Sequence, residues 1–254
     1  MGSRGHAAPV DVKPVCLLTG GAGTLGGALY RALIRTHNVA AVYFTAIPGF
    51  PSQLRVPLDP LPGRRKGPTD ALAFCIQGDL TQRADVRRIV EVALARFERI
   101  DVLINSAADT CFHGKLLELS VDDQAVRNQL VTNCIAPISL ASAVFQHAWK
   151  NQRRANHDCN RCVINVSSSS GLHAHPNVGQ AFYGASKAAL NLLTRYLAEE
   201  LQTYGIRANA ICPSRFPDSV PTSAVVRKVM QLIGSRVSGE VIEVSRGTGA
   251  WQPK

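Results

Sequence analysis

No run of eighteen apolar residues occurs in the 254-residue chain, so no transmembrane helix is expected. Met1 to Lys13 carry Arg4, His6, Pro9 and Asp11 but no apolar block. They read as a disordered lead-in and not as a secretory signal. Aromatics make up only 6% of the chain and no nucleic-acid-binding motif is present. The net charge of +10 is therefore not read as a nucleic-acid footprint. A basic surface also suits phosphate-bearing ligands and acidic carrier proteins, and clusters such as Arg64-Arg65-Lys66 read as solvated loop. His157, Cys159 and Cys162 contain one Cys-x-x-Cys with a nearby His. No second pair stands at a suitable spacing, so no metal is expected. The seven cysteines are an odd number, several inside apolar strand-like runs, which suits reduced, buried thiols in a cytoplasmic protein.

With 46% hydrophobic residues the chain can bury a full core. Short apolar runs alternate with helical patterns along most of its length. Strands are expected at Val15–Thr19, Ala40–Phe44, Leu72–Ile76, Asp101–Asn105, Cys162–Val166, Ile206–Cys212 and Glu240–Val244. Helices are expected at Ala28–Thr36, after a Thr81 cap, from the Ser120-x-x-Asp123 capping signal to about Lys150, from Ala185 to Tyr204, and over Val220–Ile233. Pro137 should bend the longest of these or interrupt its hydrogen-bond ladder near Asn133. Asn151 to Arg161 reads as a surface loop. Alternating strands and helices predict an α/β fold, a doubly wound parallel sheet of about seven strands, as one domain over residues 14–254.

The first strand runs directly into Gly20-Gly21-Ala22-Gly23-Thr24-Leu25-Gly26. Gly21-x-Gly23-x-x-Gly26 between a strand and a helix is the dinucleotide fingerprint. Glycines permit the tight turn and a close backbone approach to a pyrophosphate, and the helix N-terminus presents free N–H groups. A cofactor with a free ribose 2′-hydroxyl usually meets a carboxylate at the end of the second strand. Thr45 occupies that place, with no carboxylate before Asp59 and with Arg55, Arg64, Arg65 and Lys66 following. This favours NADP(H), with NAD(H) as the alternative. Ile47 to Thr69, rich in proline and glycine, reads as an irregular excursion.

Tyr183-Gly184-Ala185-Ser186-Lys187 opens the last long helical run, fifteen residues after Ser168. Residues four apart share a helix face, so Tyr183 and Lys187 should point into one space. A nearby ammonium favours phenolate and should lower the Tyr183 pKa. A tyrosine so held can pass a proton to or from a substrate oxygen, and Ser168 can hold the same oxygen. His173 and His175 lie between the serines and the tyrosine, in the loop.

These residues together resemble a short-chain dehydrogenase/reductase over roughly Pro14 to Gly249. The matches are Thr19-Gly20-Gly21-Ala22-Gly23-Thr24-Leu25-Gly26, Gly78-Asp79-Leu80, Asn105-Ser106-Ala107-Ala108, Asn133, Ser168 and Tyr183-x-x-x-Lys187. The resemblance implies a Rossmann-type sheet and reversible hydride transfer between NAD(P)H and a carbonyl or alcohol. It implies Tyr183 as general acid/base and Lys187 as its tuner and a ribose ligand. Ser168 would hold the substrate oxygen, with Ser170 the competing assignment, and Asn133 would hold a relay water. Asp79 would meet the adenine. Leu80, Asn105, Ser106, Ala107, Pro213 and Ser214 would join the cofactor site. The usual Pro-Gly after the sixth strand appears as Pro213-Ser214, and only 25 residues separate Ser214 from Glu240, so the substrate lid should be short. The expectation is an NADPH-dependent ketoreductase for a bulky or acyl- or polyketide-like ketone, a carrier-tethered one included. It would be a homodimer or homotetramer pairing through the helices of Asn133 and Tyr183. The alternatives are an NAD-dependent alcohol dehydrogenase and a nucleotide-binding regulatory protein without catalysis.

Overall fold

The computed structural model describes residues 13–54, 73–118, 124–175 and 179–245. The expected lead-in over residues 1–12, the excursion past Leu54 with Arg55, Asp59, Arg64, Arg65 and Lys66, and the Ser120-x-x-Asp123 signal lie outside the described residues.

Seven parallel strands form one sheet in the order β3-β2-β1-β4-β5-β6-β7. They are β1 (Val15–Leu18), β2 (Asn38–Tyr43), β3 (Phe74–Gln77), β4 (Val102–Asn105), β5 (Cys162–Val166), β6 (Arg207–Pro213) and β7 (Val241–Val244). The helices are α1 (Thr24–Leu33), α2 (Arg83–Phe97), α3 (Gln124–Leu130), α4 (Ala136–Val144), α5 (Arg153–Asp158), α6 (Ala181–Gln202) and α7 (Thr222–Gly234). Successive strand residues face opposite sides, so β1 feeds two cores. Cys16 and Leu18 pack with Leu25 and Leu29 of α1 and with Val225 and Val229 of α7. Leu17 packs with Ile89 of α2, Leu140 of α4 and Ala198 of α6. Chain order reverses between β1 and β4, which opens a crevice at the carboxyl ends of those strands.

Four local readings need correction. Thr81 does not cap α2: the cap position is Gln82, without a side-chain bond, and the Thr81 hydroxyl donates to Asp79 Oδ1 instead. α1 begins at Thr24, straight out of the glycine turn, four residues before the expected start. α6 begins at Ala181, which puts Tyr183 in its first turn. A short helix, α5, lies where a plain loop was expected; buried Asn156 ties it to the carbonyls of Trp149 and Tyr204.

The long helical run is interrupted where Pro137 predicts. A wide π turn, Val131–Ile135, separates α3 from α4. Pro137 has no N–H to give the Asn133 carbonyl, so the regular ladder fails there. The whole run, Gln124–Trp149, is 26 residues long and holds an 18-residue stretch with a mean hydropathy of 1.2, enough by length and composition alone to cross a membrane. Here it belongs to the core: Val126, Cys134, Leu140, Val144 and Trp149 are buried.

At the amino-terminal end of the sheet Asp101, 1% exposed, accepts from Val15 N, from Arg99 and from Arg161. Removing one partner of a buried ion pair leaves an uncompensated charge and costs about 3–5 kcal/mol. Asp101→Asn is expected to lower the melting temperature by roughly 6–15 °C. Thermal denaturation followed by circular dichroism checks this; an unchanged melting point would show that the network is not holding the strand ends.

Candidate active site

The glycine turn is built by steric exclusion. Gly20 has φ of +70°, and a Cβ there would lie 2.8 Å from the Ala107 backbone. A Cβ on Gly26 would overlap the Gly20 carbonyl oxygen. Gly21 N donates to Val42 O and Gly23 N to Gly20 O, which closes the turn against β2. α1 starts at a Gly23 cap with no side-chain hydrogen bond, so its first-turn N–H groups stay available to a ligand. Thr19 Oγ1 accepts from Ser106 N and Ala107 N, at 3.0 and 3.1 Å, and pins the loop after β4 to the turn. This is a cradle for a dinucleotide pyrophosphate, and the residues present fit that group.

A second set of contacts docks the start of α6 on the serine loop after β5. A Cβ on Gly171 would lie 2.7 Å from the Lys187 carbonyl carbon, and one on Gly184 would lie 2.8 Å from Ser170 O. Ser167 Oγ donates to Lys187 O at 3.1 Å. These approaches bring the Ser168 hydroxyl near enough to Tyr183 to pull its phenol pKa down. Ser170 lines the same cleft; its hydroxyl meets Gln180 Oε1 at 3.5 Å, and its N–H donates to Ser168 Oγ. Lys187 is 1% exposed, donates from Nζ to Val166 O at 3.0 Å, and holds that nitrogen 5.8 Å from the centre of the Tyr183 ring.

The expected acidification of Tyr183 is absent in the protein alone. Burial pushes its phenol up, the Ser168 hydrogen bond pulls it back, and the Cys212 thiol adds to the rise. The Lys187 amine is itself lowered to about 8, because burial penalises its charge. Lys187 is not among the groups that shift Tyr183, so burial decides the direction.

One cleft of about 1230 Å³ joins these features. Gly20, Gly23, Thr24, Leu25, Gly26, Thr45, Asp79, Leu80, Ser106, Ala107, Ser168, Tyr183, Lys187, Pro213 and Ser214 all line it. Three of the expected residues do not. Gly21 lies beneath the turn against Ala41. Asn105 Nδ2 donates to Asn165 Oδ1 and Pro137 O, behind the cleft wall. The Asn133 side chain clamps both the N–H and the C=O of Asp109, each at 2.8 Å, and donates to Ser186 Oγ. It therefore has no direct contact with Lys187. Asp79 Oδ1 is already taken by the N–H and hydroxyl of Thr81. Of the two loop histidines His175 reaches the cleft, while His173 pairs with Glu243 at 3.3 Å.

The sequence reading missed Asp109, Phe112, Asn128, Thr132, Gln180, Arg215 and Phe216, all of which line the same cleft. Asn128 and Thr132 are four apart on one helix face, a signal the sequence did carry. Arg215 stands directly after Pro213-Ser214, past the end of β6.

A family model described as short chain dehydrogenase matches residues 14–225. A 3-oxoacyl-(acyl-carrier-protein) reductase, FabG, of Thermotoga maritima is 30% identical over 225 residues, 88% of this chain and 82% of that protein. YtkK of Bacillus subtilis, a presumptive oxidoreductase, is 32% identical over 181 residues, 71% of this chain; the match spans 66% of YtkK, just under two thirds of its length. A 4-hydroxyisoleucine dehydrogenase solved with NADH and succinate superposes with a TM-score of 0.70 over 90% of this chain and 96% of its own, at 22% identity. That last likeness speaks for the fold alone.

The lowered Lys187 amine carries a prediction about stability. A lysine whose folded pKa lies below its unfolded value releases its proton first in the folded state. Its contribution to stability therefore rises from pH 8 towards about 10.5. The melting temperature of the native protein should gain on that of Lys187→Met as pH rises through this window. Parallel curves for the two proteins would contradict a buried amine of this kind.

Proposed function

The chain belongs to the short chain dehydrogenase family, and from that premise we propose that it is an NAD(P)-dependent oxidoreductase working as an NADPH-dependent ketoreductase. The observation that carries this reading is the meeting of Ser168, Tyr183 and Lys187 in the cleft that also contains the glycine turn. The cofactor, when bound, supplies the hydride. Every other requirement falls on side chains of this protein. Ser168 holds the substrate oxygen and Tyr183 gives that oxygen a proton. A phenol is protonated at neutral pH and so has a proton to give, although burial makes it a weaker acid in the protein alone. Lys187 meets the nicotinamide-side ribose. Asn133 acts through its main chain, where Pro137 leaves a carbonyl free of its regular helical partner, while its side chain fixes Asp109.

Two features support NADP(H). No acidic residue stands among Tyr43, Phe44, Thr45 and Ala46 at the cleft end of β2, and the chain carries a net charge of +10. The lid between Ser214 and the start of α7 at Thr222 is a single turn, which leaves room for a bulky or carrier-tethered ketone. The FabG relative acts, by its name, on such a substrate. Ile135, Leu192 and Tyr196 are each more than half exposed on the Asn133 and Tyr183 helices, and these faces are read as the surface of a homodimer or homotetramer.

Tyr183→Phe should lower kcat for NADPH-dependent ketone reduction by about 100-fold or more, with NADPH affinity little changed. Ser168→Ala should be far more damaging than Ser170→Ala. Steady-state kinetics checks both, and undiminished turnover in Tyr183→Phe would remove the proton donor from the scheme. Fluorescence titration should give a lower Kd for NADPH than for NADH; the reverse order would assign the protein to NAD(H).

A further inference from the structure

We propose that Arg215 is the anion-binding residue at the substrate end of the cleft, and that the ketone reduced there carries a carboxylate or phosphate group. The proposal rests on the ketoreductase reading and narrows its substrate class.

Arg215 lines the cleft just past the end of β6. β6 is the neighbour of β5, with Ile211 paired to Val166, and Ser167 N donates to Ile211 O at 2.7 Å. The loops that leave these two strands therefore start side by side, and one carries Ser168 while the other carries Arg215. The base of Arg215 is fixed. Ser214 N donates to Val244 O at 2.9 Å, and the Arg215 carbonyl accepts from Ser219 N and Val220 N at 2.7 and 3.1 Å.

The guanidinium itself has no carboxylate or carbonyl partner among the described residues. The two acids that line the cleft are engaged elsewhere. Asp79 holds Thr81, and Asp109 accepts from Cys111 N while Asn133 clamps its backbone. Among the other residues that line the cleft, Thr110, Asn128, Thr132 and Gln180 are neutral and hydrogen-bonding, and Lys187 and His175 add no negative charge. A guanidinium stays charged at every working pH and grips carboxylate or phosphate with two parallel hydrogen bonds. Covering it with a neutral ligand would strip its water without compensation, whereas an anionic ligand replaces that water.

The cofactor pyrophosphate is the less suitable occupant. Its cradle is the turn after β1, and β1 lies three strands from β6 in the sheet order. At about 4.8 Å per strand that is roughly 14 Å.

In the reduction, a C–H bond forms at the ketone carbon from the hydride, the C=O π bond breaks, and Tyr183 gives the oxygen its proton. Tyr183, left as phenolate, takes a proton back from solvent, the bound NADPH leaves as NADP+, and the anionic group is untouched.

The test uses matched probes: 4-oxopentanoate against its methyl ester, and dihydroxyacetone phosphate against dihydroxyacetone. For the native protein the KM of at least one anionic probe should be tenfold or more below that of its neutral match. Arg215→Gln should erase that difference by raising the anionic KM, and Arg215→Lys should restore part of it. Which pair responds tells carboxylate from phosphate. A binding readout stands apart from turnover: the preferred anion should raise the melting temperature of the NADP+-loaded native protein and not of NADP+-loaded Arg215→Gln. If no ketone is reduced but this shift is seen, the anion site stands and the ketoreductase reading fails. Equal KM values within both pairs, no shift with either anion, or an Arg215→Gln defect confined to NADPH affinity would each overturn the proposal.

Discussion

The close seating of α6 on the loop after β5 is the contact from which the geometry of the site follows. Gly171 and Gly184 lie so near Lys187 and Ser170 that a methyl group at either glycine would collide with backbone. Backbone cannot yield as a flexible side chain does, so the separation of the two segments is set. Tyr183 and Lys187 ride on the first turns of α6 and Ser168 rides on the loop. Fixing one against the other sets Ser168 beside Tyr183 and drives the Lys187 amine against Val166 O. The same logic holds at the other end of the cleft, where Gly20 and Gly26 let α1 close on the strand ends.

That seating has an electrostatic consequence. Lys187 is sealed from water and is held mainly by one carbonyl, so its charge is penalised and its pKa falls to about 8. Lys187 does not lower the Tyr183 phenol as the spacing led one to expect. Desolvation of the phenol then dominates, and the hydroxyl keeps its proton at neutral pH. A proton donor in place beside a bound carbonyl is the arrangement that reduction requires.

Much of the fold was legible because its signals are periodic and steric. The central strands were visible as apolar runs, since a parallel sheet covered on both faces leaves little polar alternation to confuse them; β7, at the edge with Glu243, was the weakest signal. The break at Asn133 was legible through Pro137 alone. What could not be read were effects that depend on distance in space. The sign of the Tyr183 shift depends on how deeply the tyrosine is buried against how well Lys187 keeps its charge, and spacing on a helix reveals neither. The Asn133 clamp on Asp109 joins residues 24 apart in sequence. Arg215 carries no motif of its own, and only the pairing of β5 with β6 sets it beside the serine loop. Thr81 misled because a threonine before a helical pattern normally caps it, whereas here its hydroxyl turns to Asp79.

The central claim is that the meeting of Ser168, Tyr183 and Lys187 leaves the phenol protonated at neutral pH. Ultraviolet titration at the phenolate band, taken as the difference between the native protein and Tyr183→Phe, reads that group directly. The account predicts ionisation above the ordinary tyrosine value of about 10 in the cofactor-free protein. A phenolate already formed at neutral pH would contradict it.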